Sequence, residues 1–204
     1  MGTDIGTLTS FTITGWFNVA ATINNSANIL NMFNNSTTNG IVLSAGDGVL
    51  TLQVNNGSDA IHSPYTTGYY GTGQWVYFAV TYNGTLSTNN VDFYWGTTSA
   101  DATLVSGGTL TLANGSTSLS GAALGIGNTS SGAANRPFDG SLDDVELFGA
   151  ASGSSGALTQ TELEAVQSGD LLDVPEPGTT ALICAGSALF LVCGWRRRRC
   201  SRIG

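Results

Sequence analysis

The chain has 204 residues, of which 10% are charged and none is lysine. Fourteen acidic residues and a single basic residue, Arg136, precede Trp195, so this part carries a net charge of about −13, whereas the last nine residues carry five arginines. A body with one arginine cannot neutralise phosphates, which excludes nucleic-acid binding, and the uneven charge indicates two environments rather than one folded surface.

Alternating apolar and polar residues predict β-strands from the start of the chain. In FTITGWFNV, residues 11–19, Phe11, Ile13 and Phe17 share one face, which is typical of a half-buried strand. The same alternation recurs further along the chain at 49–55, 75–82, 91–95, 124–126 and 142–147. Asn-Gly pairs such as Asn83-Gly84 lie between these runs and favour hairpin turns. The body is therefore predicted to be all-β, a sandwich or a barrel.

The same alternation places three aromatic side chains on the opposite faces of their strands. If Phe11, Phe17 and Phe93 point into the core, then Trp16, Tyr77 and Tyr94 point away from it. Flat aromatic rings stack on sugars, so these three residues are weak candidates for ligand contact. The alternative, which stays open here, is that loops or a helix cover the rings.

One late segment, residues 158–166, is predicted to be helical. Thr159 followed by Glu162 forms a capping box, and Leu163 and Val166 share a face. His62 is the single histidine, and the three cysteines (Cys184, Cys193 and Cys200) all lie near the C-terminus. Neither a Cys-His pair nor a disulfide can therefore be built in the body.

Five blocks, in this order, make the body resemble the LamG-like, concanavalin A-like jelly roll. They are residues 11–16, 75–84, 124–128, 136–145 and 157–162. The resemblance implies a two-sheet antiparallel jelly-roll sandwich. It also implies that one Ca²⁺ could be bound at a rim of the sandwich, for which Asp47, Asp139 and Asp143 are weak candidates, although Asp beside Gly equally serves turns.

Laminarinase-type hydrolases share this jelly roll and carry Glu-x-Asp-x-Glu on one strand. Laid over this chain, the motif needs carboxylates at 142, 144 and 146, and position 142 is Leu142. We therefore expect no catalysis. The family also has a strand before residue 11 that is missing here. Since residues 1–6 contain no signal peptide either, we expect further coding sequence upstream.

The C-terminal thirty residues are organised differently. Prolines at 175 and 177 stop any regular element, residues 179–195 are uncharged, and Arg196, Arg197, Arg198 and Arg199 follow at once. A helix over 179–195 would span roughly 25 Å, at the short end of a membrane crossing, and the arginines would stay cytoplasmic. A plain membrane anchor or a buried core helix are the alternatives.

The order Val174-Pro175-Glu176-Pro177, apolar span, arginine cluster resembles the PEP-CTERM sorting signal. The resemblance implies recognition by an exosortase-type membrane protease, removal of the span with its arginines, and a mature form at the cell surface or in the extracellular matrix. We thus predict a domain over 1–170, a linker over 171–178, and a hydrophobic helix with an Arg-rich tail over 179–204. The predicted function is non-enzymatic adhesion or polysaccharide contact. A lectin-like module with a defined carbohydrate ligand, or a degenerate hydrolase, are the alternatives.

Overall fold

The computed structural model describes residues 5–20, 27–33, 39–46, 48–55, 59–64, 73–129 and 136–169. The chain divides into two compact units, Met1–Ser168 and Gly169–Gly204. The predicted hydrophobic helix over 179–195 lies outside the described residues. Within those residues, no helix is long and apolar enough to cross a membrane.

The described part of the first unit is β-structure with one short helix. Its strands are β1 (Thr7–Leu8), β2 (Ser10–Val19), β3 (Ala27–Phe33), β4 (Gly40–Gly46), β5 (Val49–Val54), β6 (Ala60–His62), β7 (Trp75–Asn83), β8 (Val91–Thr97), β9 (Ala100–Leu110), β10 (Thr117–Ser118), β11 (Gly125–Ile126) and β12 (Gly140–Ala150). Helix α1 follows at Gln160–Ser168.

The strands form two five-stranded antiparallel sheets, which we call sheet I and sheet II. Sheet I has the order β11-β3-β4-β5-β6 and sheet II the order β12-β2-β7-β8-β9, while β1 and β10 pair separately. The predicted two-sheet antiparallel sandwich is therefore confirmed.

The core lies between the two sheets, and the predicted inward faces are the buried ones. Phe11, Ile13 and Phe17 on β2 are completely buried, and Phe78 on β7 packs against Phe17 with ring centroids 6.0 Å apart. Trp95 closes the cluster, edge-on to Phe17 at 5.8 Å. Because every strand of both sheets except β11 contributes side chains to one continuous cluster, the first unit contains its own hydrophobic core.

Strand β12 departs from the predicted alternation. Asp143 pairs with Trp16 and Glu146 with Thr14, so two residues, Asp144 and Val145, face one residue of β2. Asp144 adopts a left-handed backbone with φ 45°, as a bulge residue can. A regular strand would place residues 142, 144 and 146 on one face, as the spacing of the hydrolase motif assumes. This does not hold here, because the extra residue turns Glu146 to the same side as Asp143.

Gly15 makes room for this bulge. A Cβ at Gly15 would lie 3.0 Å from the Phe78 ring and 3.2 Å from the Cα of Val145. The side chains of Leu142, Val145 and Leu147 pack against the core between the sheets. The bulge thus keeps the apolar residues of β12 inside while Asp143 and Glu146 stay exposed.

Candidate functional site

Helix α1 covers the outer face of sheet II. Tyr77, with 1% of its surface exposed, and Tyr94, with 7%, pack with Leu163 of the helix, which is completely buried. Trp16 is half-buried beside them, edge-on to Tyr77 with ring centroids 5.3 Å apart. We call Trp16, Tyr77 and Tyr94 the aromatic patch.

The aromatic patch points away from the inter-sheet core, as the alternation of the sequence predicts. Of the two alternatives left open by the sequence, covering by a helix is the one found here. Burial raises the pKa of Tyr94 to about 12, and the carboxylate of Asp92 adds to the effect. Burial also raises the pKa of Tyr77 above its usual range, helped by the charge of Glu146.

The C-terminal end of α1 is fixed by one side chain. The Nε2 of Gln167 donates to the carbonyl oxygens of Thr97 and Ala100, both at 2.9 Å, and its Oε1 accepts from the backbone N–H of Ala102 at 2.6 Å. A Cβ at Gly96 would lie 2.7 Å from Gln167 Nε2, so the amide also fills the space above that glycine. These contacts attach the last turn of the helix to the β8–β9 hairpin.

The segment before α1 is fixed to β2. The hydroxyl of Thr12 donates to the carbonyl of Gly156 at 2.7 Å and accepts from the N–H of Leu158 at 2.9 Å, and Ser10 Oγ accepts from the N–H of Gly156 at 2.9 Å. The predicted capping box is confirmed, since Glu162 accepts from both the N–H and the hydroxyl of Thr159. The helix is therefore held at both ends.

The outer face of sheet I carries a different kind of surface. Asn28 pairs with Ser44, Ser44 with Thr51, and Thr51 with His62, so four polar side chains cross four neighbouring strands in one line. The Thr51 hydroxyl and His62 Nδ1 are hydrogen-bonded at 2.8 Å. We call these four residues the polar row.

Exposure increases along the polar row. Asn28 is 1% and Ser44 4% exposed, Thr51 is half-buried, and His62 is exposed. Among the described residues, the Oδ1 of Asn28 has no hydrogen-bond partner. A buried acceptor without a partner is costly, and such groups are characteristic of sites that bind a ligand or water.

Charge separates the two sheets. The five strands of sheet I contain no Asp, Glu, Lys or Arg, whereas Asp92, Asp101, Asp143, Asp144 and Glu146 all lie on strands of sheet II. In a body of about −13, the strands of sheet I are therefore uncharged, although exposed Asp59 directly precedes β6.

The candidate calcium ligands are not brought together in the described part of the chain. Asp47 lies outside it, and Asp139 and Asp143 belong to no group of three or more metal-ligating side chains among the described residues. The Oδ1 of Asp143 instead accepts from the N–H of Asp144 at 3.1 Å. The sorting residues Val174 to Pro177 and Arg196 to Arg199 also lie outside the described residues.

Two five-stranded antiparallel sheets that pack face to face form a β-sandwich, and this architecture defines the class of the first unit. The family model for the concanavalin A-like lectin/glucanases superfamily, Laminin_G_3, matches residues 3–162, and the chain belongs to that superfamily. A second family model, the PEP-CTERM protein-sorting motif, matches residues 173–199. Both resemblances inferred from the sequence are confirmed. No curated protein sequence matches the chain significantly.

The solved structures that the chain resembles are distant from it in sequence. The CBM40 of the Ruminococcus gnavus IT-sialidase bound to α2,3-sialyllactose is 14% identical, with a TM-score of 0.52 over 78% of this chain and 83% of that one. The same module in a second structure is 13% identical, with a TM-score of 0.50 over 81% and 95%. A heptameric SAP-like pentraxin from Limulus polyphemus is 18% identical, with a TM-score of 0.44 over 80% and 73%.

Proposed function

We propose that this chain is an exported protein, sorted to the cell surface, whose sandwich contacts neutral glycans without catalysing a reaction on them. The observation that carries the proposal is the polar row on the sheet whose strands are uncharged, where the Asn28 acceptor has no hydrogen-bond partner among the described residues. Side-chain amides and hydroxyls form hydrogen bonds with sugar hydroxyls. Because these side chains are uncharged, this contact does not depend on the charge of the polymer.

The comparison with the sialidase module supports this proposal at the level of the fold. That module binds sialyllactose and shares the sandwich, although an identity of 14% says nothing about individual contacts. An acidic sugar is a poor ligand for this chain, because a body near −13 repels it. We therefore assign neutral glycans.

The alternative is a lectin-like module with one defined carbohydrate ligand. The Asn28 acceptor, for which the described part of the chain supplies no partner, favours it, because a fixed acceptor would select a hydroxyl at one position of a sugar. A glycan array distinguishes the two: broad weak binding to neutral polymers supports adhesion, and one strong hit supports the lectin.

The sorting step is also part of the proposal. The motif over 173–199 supports insertion of residues 179–195 into the membrane and cleavage by an exosortase-type protease. Recognition would fall on Val174, Pro175, Glu176 and Pro177, with Arg196 to Arg199 on the cytoplasmic side. The sandwich would then be displayed at the surface or released to the matrix.

The test is titration of the full chain in mild detergent with a neutral soluble β-glucan and with polygalacturonic acid. We expect weak binding of the glucan, severalfold weaker for Thr51→Ala, because Thr51 lies on the polar row with a half-buried hydroxyl. Thr103→Ala is the matched control, since Thr103 is exposed on β9 of the other sheet.

Three results would contradict the proposal. These are glucan binding that is unchanged in Thr51→Ala, tight binding of polygalacturonic acid in the presence of a calcium chelator, and release of reducing sugar from the glucan. The last would revive a hydrolase, for which the exposed Asp143 and Glu146 would be the first carboxylates to replace.

A further inference from the structure

Helix α1 is too short to be stable in isolation. It has nine residues, and isolated helices shorter than about 12–15 residues are marginal in water. Leu163 is the helix residue that is completely buried; Val166 is partly buried, and Gln160 and Glu162 are exposed. Its stability therefore comes from docking on sheet II, and undocking and unfolding of α1 should be one event.

Helix α1 is attached in its middle by buried Leu163, whose carbonyl accepts from the Tyr77 hydroxyl at 3.4 Å, and at its ends by side-chain hydrogen bonds. Thr12 and Ser10 hold the segment before it, and Gln167 holds its last turn. Gly169, with φ 80°, follows as the helix terminator, and the second unit begins there. Tension applied to the chain after Gly169 therefore acts on the hydrogen bonds of Gln167 before it acts on any strand.

The aromatic patch that α1 covers lies on three adjacent strands of sheet II. Trp16 and Tyr77 face each other across β2 and β7, and Tyr94 on β8 pairs with Ala79 on β7. Removing the helix would leave these rings side by side on three adjacent strands. A row of flat aromatic rings on a sheet fits the apolar faces of sugar rings.

We propose that α1 is a releasable strap, and that its release while the sandwich stays folded uncovers the aromatic patch as a second contact surface for neutral sugars. The ligand class rests on the proposed function, but the surface is distinct from the polar row, which lies on the other sheet. Tension on the chain that follows Gly169, in a mature protein held by its new C-terminal end, is the event that would open the strap.

The test is Gln167→Ala in the full chain in mild detergent, with Gln160→Ala as the matched control. Gln160 is an exposed glutamine of the same helix, and its amide nitrogen donates to Oε1 of Glu164, one turn further along α1, at 3.0 Å. Amide hydrogen exchange over Gln160–Ser168 should rise at least tenfold in Gln167→Ala and not in Gln160→Ala, with β2 and β7 unchanged. Binding of the neutral β-glucan should strengthen severalfold, and adding Trp16→Ala should remove that gain.

Each arm can overturn the proposal. Unchanged exchange in α1 refutes the strap, and faster exchange without stronger glucan binding refutes the second surface. A gain that survives Trp16→Ala but disappears with Thr51→Ala assigns it to the polar row and refutes the aromatic site. Should Gln167→Ala fail to fold, wild-type exchange in low denaturant decides: α1 must open well before β2, and opening together with β2 refutes the strap.

Discussion

Replacing Thr12 by valine should destabilise the first unit more than any surface threonine would. Valine has nearly the same shape and favours strands, so the change removes the hydroxyl without leaving a cavity. The hydroxyl satisfies two backbone groups, the carbonyl of Gly156 and the N–H of Leu158, in a side chain that is completely buried.

The magnitude follows from those two groups. A buried polar group that loses its partner costs about 1–3 kcal/mol, so two such groups, one of them only partly buried, should cost about 2–4 kcal/mol. For a domain of this size, each kcal/mol lowers the midpoint of thermal unfolding by about 2–4 °C, which gives a decrease of about 5–15 °C.

The measurement is urea and thermal unfolding of wild type, Thr12→Val and Thr103→Val, followed by circular dichroism. Thr103 is an exposed strand threonine, so its variant should stay within about 0.5 kcal/mol of wild type. A loss below about 1 kcal/mol in Thr12→Val would show that β2 does not fix the segment leading into α1. The strap argument would then lose one of its two end attachments.

Three other outcomes are expected. Between pH 10 and about 12 the unfolded chain loses the Tyr94 proton that the folded state keeps, so the free energy of unfolding should fall over this window. The fall should be smaller in Tyr94→Phe than in wild type, as measured by urea unfolding at pH 9 and pH 11. Equal falls in the two proteins would contradict the burial of Tyr94. Gly40→Ala should cost at least about 2 kcal/mol, because φ is 138° and a Cβ would lie 2.5 Å from the carbonyl oxygen of Met32, whereas Gly153→Ala, with φ 73° and open space, should cost about 1 kcal/mol in the same unfolding assay. Intact mass of the mature protein from its native host should show loss of Trp195 and everything after it; a mature chain that keeps the arginines would indicate a plain anchor.

The sequence predicts sheet II better than sheet I. Strands β2, β7 and β8 are buried on both faces over most of their length, but they alternate because their core-facing residues are apolar and those opposite are mostly polar or amphipathic, and their inward residues are found where the pattern places them. Strands β3 and β4 lack this alternation, because Leu30 and Val42 break it and a register shift interrupts the pairing of β3 with β4. Strand β9 is buried at about every third residue, because two irregularities interrupt its pairing with β8.

These gaps explain why the polar row was missed. Asn28 and Ser44 lie on the two strands without a pattern, and their alignment with Thr51 depends on the register between strands. The bulge at Asp144 was missed for a related reason: a single extra residue changes which carboxylates share a face, and no local signal in Leu142-Asp143-Asp144-Val145 requires it. The aromatic patch shows the converse, since its orientation could be predicted but its cover depends on where α1 docks.

The strands of sheet I carry no charged residue, and this bears on the salt concentrations at which the protein could bind a glycan. Contacts between ions weaken as dissolved salt screens them, with a Debye length that shrinks from roughly 30 Å at 0.01 M to roughly 3 Å at 1 M. Under the proposed function, hydrogen bonds from the polar row to sugar hydroxyls would involve no net charge and would escape this screening. Glycan binding through the polar row would then depend little on the salt concentration, whereas repulsion between the acidic bodies of neighbouring copies would be strongest where salt is low.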